Sequence, residues 1–250
     1  MTTSNPIQIL FNEKNKHQNI NVIQSPVKYE ILDLLKHNEM NFDEIVENTS
    51  KSKASVSQHL KDLREEGIVK YRADPEDNRK KIFFLDSEML GCVDSRKMKL
   101  KNNTERLIDR FIEDGDINYQ LMLVHAFKTI LTEYGIEITP LIKSIGNHIG
   151  EYIYRQVYDE DFDRFLFNIS KYWADNKLGF LLFEAKNSLE IQCMDCFESV
   201  KLEKTGKPEC HLEVGMFETI FRNYFGFEVK IVETRCYSMG DEMCLFEVTP

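Results

Sequence analysis

Five of the six cysteines in this 250-residue chain lie beyond residue 190, and four side chains near its end are spaced as metal ligands can be. Glu233 precedes Cys236 by three residues, Cys236 precedes Cys244 by eight, and Cys210 stands just ahead of HLEVGMFETIFRNYFG, which reads as a helix. The run FEVKIVETRCYSMGDEMCLFEVTP alternates apolar and polar residues as a closing hairpin does. Two adjacent strands and a helix N-terminus can therefore bring three thiols and a carboxylate together. Zinc takes four tetrahedral ligands and favours thiolates, and a site whose four positions are all protein-filled is structural or switching, since a catalytic zinc keeps one position open.

Cys193 and Cys196, spaced Cys-Met-Asp-Cys, offer a different chemistry. They can form a dithiol switch, alone or by exchange with zinc thiolates under oxidation. The alternative is bland: on a strand the two side chains diverge to opposite faces, leaving one as a small buried apolar group. Cys92 carries no such pattern. His125, His148, Trp173 and the many Phe and Tyr residues of the helical stretches around them read as core.

The elements that must position these residues are two helix-rich halves. Ser25-Pro26 opens VKYEILDLLKH, with Val27, Ile31, Leu34 and Leu35 at helical spacing. Asn41 is placed to cap NFDEIVEN, and Val56, Leu60 and Leu63 form the buried stripe of KASVSQHLKDLREEG, which Gly67 stops. IVKYRAD and KKIFFLD then read as two strands joined by a basic turn. Helix, short helix, turn, longer helix and basic hairpin in about 60 residues is the order of a winged helix-turn-helix. The candidate DNA contacts are Lys51, Lys53, Ser55, Ser57, Gln58, His59 and Lys61 around the third helix, and Arg72, Arg79 and Lys80 on the hairpin, where base edges and phosphates would be met.

From this reading, residues 1–24 are an N-terminal extension, 25–90 the DNA-binding domain, 91–116 a helical linker and 117–250 a sensor domain. The linker's Leu107, Ile108, Phe111 and Ile112 make one stripe, which can pack against its twin in a homodimer or against its own domain. The sensor domain reads as three helices, LMLVHAFKTILTEYG, ITPLIKSIGNHIGEYIYRQ and DFDRFLFNISKYWADNKLG, then an antiparallel sheet, so the expected fold class is α+β. Residues 1–100 hold 16 Lys/Arg and 16 Asp/Glu, so the whole net charge of -10 lies beyond them, and phosphate contact is expected only in the first half.

No apolar run is long enough for a membrane span and no signal-peptide organisation opens the chain, so a cytoplasmic protein is expected. A glycine-rich dinucleotide fingerprint, a phosphate loop and a spaced nucleophile-base pair are not found, which argues against an enzyme.

SKSKASVSQHLKDLREEGIVKYR, within Ser25 to Leu85, resembles the winged helix of ArsR-type repressors, although that family's metal-binding cysteine pair in the recognition region is missing. Residues 118 to 250, above all ETRCYSMGDEMCLFEV, resemble the 4-vinyl-reductase-type sensor domain. That resemblance implies zinc at Cys210, Glu233, Cys236 and Cys244, by correspondence with aromatic-compound-sensing members. The fusion of the two resembles methanogen redox-sensing transcription regulators and implies an operator-binding regulator of double-stranded DNA that responds to redox state. It leaves open a small-molecule effector, aromatic or hydrocarbon, bound among the three helices above a purely structural zinc. The reductase assignment behind the superfamily's name is the enzymatic alternative.

Overall fold

The computed structural model describes residues 7–14, 17–36, 38–94, 103–113, 118–185 and 188–250. The chain divides into two compact units, Met1–Lys99 with Tyr134–Ile138, and Leu100–Glu133 with Thr139–Pro250. Among the described residues no helix is long and apolar enough to cross a membrane.

In the first unit, strands β1 (Ile7–Lys14) and β2 (His17–Ile23) precede helix α1 (Pro26–Leu35), strand β3 (Met40–Asn41), and helices α2 (Phe42–Thr49) and α3 (Lys53–Glu65). Strands β4 (Val69–Ala73), β5 (Lys81–Leu85) and β6 (Glu88–Val93) follow, and β7 (Ile136–Glu137) joins from further along the chain. Side-chain oxygens start all three helices: Ser25 and Ser52 accept from the backbone three residues on, and Asn41 and Glu44 form a reciprocal capping box. Gly67, at φ 77, turns the chain out of α3 where a side chain would be strained. Ile31, Leu32, Leu35, Ile45, Val56, Leu60, Leu63 and Phe83 close one core beneath the sheet β3-β5-β4. This is the winged helix-turn-helix of the sequence reading, with Leu32 taking the buried place expected for Leu34.

Two features depart from expectation. Residues of the extension form β1 and β2, and Gly91, Cys92 and Val93, read as the start of a helical linker, belong to β6; together with β7 they make the sheet β2-β1-β6-β7. A side chain at Gly91 would meet the Glu137 carbonyl oxygen at 2.4 Å, so close strand approach needs the glycine. The linker reading also covered 95–102 and 114–117, which lie outside the described residues. What is described of it is α4 (Asn103–Glu113), where Leu107 and Phe111 are buried, Ile112 is exposed, and the Phe111 ring meets His125 edge-on at 5.8 Å. The stripe's two large side chains therefore pack within their own unit.

The second unit continues with α5 (Tyr119–Glu133), α6 (Thr139–Val157), α7 (Phe162–Asp175), β8 (Phe180–Ala185), β9 (Leu189–Met194), α8 (His211–Phe225), β10 (Lys230–Arg235) and β11 (Cys244–Thr249). The antiparallel sheet runs β10-β11-β9-β8, so the fold is α+β, as the alternation of apolar runs implied. Helices α6 and α8 touch backbone to backbone: a Cβ at Gly146 or Gly215 would fall 2.2 Å from a carbonyl oxygen of the facing helix. Trp173 stacks on Phe217 with ring centroids 4.9 Å apart, and Phe217, Phe221 and Phe246 are fully enclosed.

Several side chains read as core are elsewhere. His148 is exposed on α6, and Leu123, Phe127, Tyr152 and Phe167 are exposed. Helix α5 instead buries the polar His125 and Lys128, because its partner surface is a polar loop.

Candidate functional site

The carboxyl-terminal hairpin and the start of α8 converge on the thiols. Strand alternation along β10 turns Ile231 and Glu233 inward, and a bulge between Glu233 and Arg235 shifts the register before Cys236. The Cys236 N–H donates to Asp241 at 3.0 Å, and a 3-10 turn at Tyr237–Met239, closed by Gly240 at φ 106, returns the chain to Cys244. Cys210 caps α8 without a side-chain bond of its own; its N–H donates to Glu233 Oε2 at 3.0 Å. The helix end is capped by Glu198, whose carboxylate accepts from Leu212 N (3.1 Å) and Glu213 N (3.0 Å) and pairs with the buried Lys128 at 3.0 Å.

The Sγ atoms of Cys210, Cys236 and Cys244 form a near-equilateral triangle with edges of 3.7, 3.5 and 3.7 Å. Zn–S bonds of ~2.3 Å in tetrahedral geometry require sulfurs about 3.8 Å apart, so the triangle is already sized for the ion. With a Glu233 oxygen, all four ligand atoms lie within 4.8 Å of one another and all four residues are buried. Glu233 Oε1 is buried without a partner among the described residues. An orphaned carboxylate oxygen facing three thiols is what a cation would satisfy. The donor set and its spacing thus fit a metal, and the sequence-predicted residues Cys210, Glu233, Cys236 and Cys244 are brought together.

Burial, then the neighbouring Cys236 charge, pushes the Glu233 carboxyl up to about 8, and burial pushes the Cys210 thiol well up. Cys244 is raised first by its hydrogen bonding with Cys196. Without a cation these groups hold their protons; a bound divalent ion reverses that preference, and its binding releases protons. Ser199 Oγ, 3.2 Å from both Cys210 and Cys244 Sγ, and Ser238 Oγ, 2.9 Å from Cys236 Sγ, surround the sulfurs with hydroxyls.

Cys193 and Cys196 do not diverge, contrary to the strand-based expectation. Strand β9 stops at Met194, and Asp195 at φ 51 turns the chain so that both thiols enter the core, fully buried. There they meet Glu213, a carboxylate the sequence reading passed over because an acidic residue in a first helical turn reads as ordinary dipole complementation. Glu198, Ser199 and Lys128 were missed for the same want of local signal.

On the first unit, Lys53, Ser57, Gln58 and Lys61 are exposed on α3, Ser55 is half-buried, and the His59 ring turns its Nδ1 into a buried position without a partner, departing from the exposed face predicted for it. Lys51 faces Glu30, Lys53 Asp43 at 2.8 Å, Lys61 Glu65 and Arg72 Glu39; Arg79 holds Asp77 at 3.0 Å at the wing tip, and Lys80 stands exposed beside it. Such exposed pairs are worth little and yield readily to phosphate. A cleft of about 520 Å³ between α2, α3 and the wing is lined by Ser57, Lys61, Arg64, Arg79, Lys80 and Lys81. Arg64 and Lys81, absent from the sequence prediction, each lie 4.3 Å from the Tyr71 ring centroid.

Comparison with known proteins agrees with this division. Residues 25–71 match the family described as bacterial regulatory protein, arsR family, and residues 189–250 match the vinyl-4-reductase-type domain. An arsR-type DNA-binding segment joined to a domain of that type is the composition of a transcription regulator rather than an enzyme. Three uncharacterized proteins of Methanocaldococcus jannaschii are similar in sequence. MJ1642 is 34% identical over 80 residues, 32% of this chain and half of that protein. MJ0150 is 25% identical over 168 residues, 66% of this chain and 92% of its own; MJ0745 is 24% identical over 174 residues, covering 66% and 87%. Two solved structures overlap at 13% identity: a vinyl-4-reductase family protein of M. jannaschii (TM-score 0.38, 60% of this chain, 96% of that one) and the phenol-responsive sensory domain of the transcription activator PoxR (0.39, 79% and 90%). Overlaps at that level say nothing of what this chain binds.

Proposed function

We propose that this chain is a DNA-binding transcription regulator that acts as a cytoplasmic homodimer on double-stranded operator DNA. Lys51, Lys53, Ser55, Ser57, Gln58, His59 and Lys61 face the major groove, while Arg72, Arg79 and Lys80 hold the phosphate backbone. Zinc, held by Cys210, Glu233, Cys236 and Cys244, ties the closing hairpin to the start of α8. The single observation that supports the metal is the thiol triangle beside an orphaned buried carboxylate oxygen. When bound, the ion fixes three thiolates and a carboxylate as one cross-link of the domain.

In this reading the signal is redox. A disulfide or peroxide oxidant takes two electrons and two protons from a pair of thiols, Cys193 and Cys196 or a zinc-bound neighbour; an S–S bond forms, and loss of ligating thiolates frees the ion and loosens the hairpin. Elemental analysis of reduced protein purified without chelator should find zinc, and Cys236→Ser with Cys244→Ser should remove the portion bound here; zinc-free wild type would sink the metal reading. Gel shifts with the upstream region of its own gene, reduced against oxidised, test the switch, and identical affinities in both states rule it out.

A second reading has its own support. All five thiols of the second unit are fully buried, which suits a purely structural zinc beneath small-molecule sensing. Alkylation of the native reduced protein separates the two: a redox sensor's thiols react within minutes, structural ones only on unfolding.

A further inference from the structure

A second set of metal-type ligands adjoins the first. Cys193, Cys196 and Glu213 bring two sulfurs and a carboxylate oxygen within 4.8 Å of one another, all three residues buried. Cys196 Sγ lies 2.8 Å from Glu213 Oε2, and Cys193 Sγ 3.7 Å from Oε1.

The fold holds each of them in place. The left-handed turn at Asp195 carries Cys196 back beneath β9, and Gly179 leaves room for the Cys193 sulfur, which a Cβ there would meet at 2.8 Å. Trp173, its indole stacked on Phe217, donates from Nε1 to Glu213 Oε1 at 3.0 Å and so fixes the carboxylate's direction. An outer donor that orients a ligating carboxylate is the usual companion of a metal ligand. Among the described residues no Lys, Arg or His side chain bonds Glu213: Lys128, the buried cation nearby, is taken by Glu198. A buried carboxylate with two thiols and no cationic partner is costly unless a cation is supplied.

We propose that Cys193, Cys196 and Glu213 form a second position for a thiophilic divalent cation of the zinc and cadmium class. Cys210, with its Sγ 3.5 Å from that of Cys196, is close enough to serve as a thiolate shared between the two ions. Only this shared role rests on reading the first set as a metal centre; the three residues of the second stand without it. In its loaded form the Cys-Met-Asp-Cys pair is masked from oxidants, so cation occupancy sets whether the dithiol can be oxidised at all.

The test is a titration of the full-length, reduced, chelator-stripped chain with Cd2+, followed by thiolate-to-cadmium ultraviolet absorbance and by elemental analysis after gel filtration. The wild type should take up two equivalents. Cys193→Ser combined with Glu213→Gln should take up one, and Cys236→Ser combined with Cys244→Ser should also take up one. Wild-type uptake of a single equivalent, unchanged by C193S with E213Q, overturns the second position and leaves the first intact. Uptake unaffected by C236S with C244S overturns the first reading and not this one. Glu213→Gln alone keeps the side chain's shape and its acceptor for Trp173, and circular dichroism melting checks that it folds. It should weaken the second equivalent at least tenfold with the first unmoved, and unchanged affinity for both overturns the proposal.

Discussion

His125 is expected to make the second unit acid-labile in a window where few other groups titrate. Its Nε2 lies 2.7 Å from the Phe197 carbonyl oxygen, which can only accept, so the proton is on Nε2 and the ring is neutral; Nδ1 is buried with no partner among the described residues. Burial first, then the charges of Lys128, Lys201 and Arg110, outweigh that hydrogen bond and pull the ring down to about 4 from 6.5. Unfolding returns it to the higher value, so between the two the unfolded chain binds the extra proton. Stability from this group is therefore full above pH 6.5 and lost as pH falls towards 4. The whole shift is worth about 3 kcal/mol, and about 2 of that should be gone by pH 5. Because carboxylates titrate too, the measurement is a difference: urea unfolding of wild type and His125→Gln, in reductant, at pH 7.5 and 5. Gln keeps an amide donor for Phe197 but cannot ionise. Wild type should lose about 2 kcal/mol relative to the variant across that interval. A stability difference that does not change with pH would refute the account. The consequence extends beyond stability: His125 joins α4, through Phe111, to the loop carrying Cys196, Glu198 and Ser199.

Three other outcomes are expected. Gly215→Ala should lower the stability of the second unit by roughly 1–3 kcal/mol or more in urea unfolding, since its Cβ would fall 2.2 Å from the Lys143 carbonyl oxygen and the gain in helix propensity is only about 1 kcal/mol; an unchanged midpoint contradicts the close helix contact. Asn41→Ala removes both halves of the capping box and should cost the winged helix about 1 kcal/mol, read from thermal unfolding of the reduced protein. Gln58→Ala should relax sequence preference by about 1–3 kcal/mol, whereas Arg79→Ala should weaken every sequence and flatten the salt dependence of binding; if both variants behave alike in competition gel shifts, the division of roles is wrong.

The winged helix was legible because its signals are local. Ser25, Asn41 and Ser52 cap the residues next to them, Gly67 turns its own backbone, and the stripe Val56, Leu60, Leu63 needs only helical period to face inward. The hairpin β1-β2 was not, since its pairing partner is β6 and that strand's neighbour β7 comes from residues 136 and 137. The α4 stripe was visible, but which surface would cover Leu107 and Phe111 is a question of packing that period cannot answer.

The thiol site divides along the same line. Spacing and residue type marked Cys210, Glu233, Cys236 and Cys244 as ligands, because short-range hairpin geometry and the preference of soft cations for thiolates are both carried by the chain itself. The way Cys196 points, the burial of Glu213 beside it, Trp173 bonded to that carboxylate and Lys128 set on Glu198 were decided by tertiary structure. Each depends on a turn at Asp195 and on α5, α7 and α8 meeting around one polar core, contacts between residues up to 81 positions apart. A pattern of neighbours records what a residue can do; only the packed chain determines which partner it finds once water is excluded.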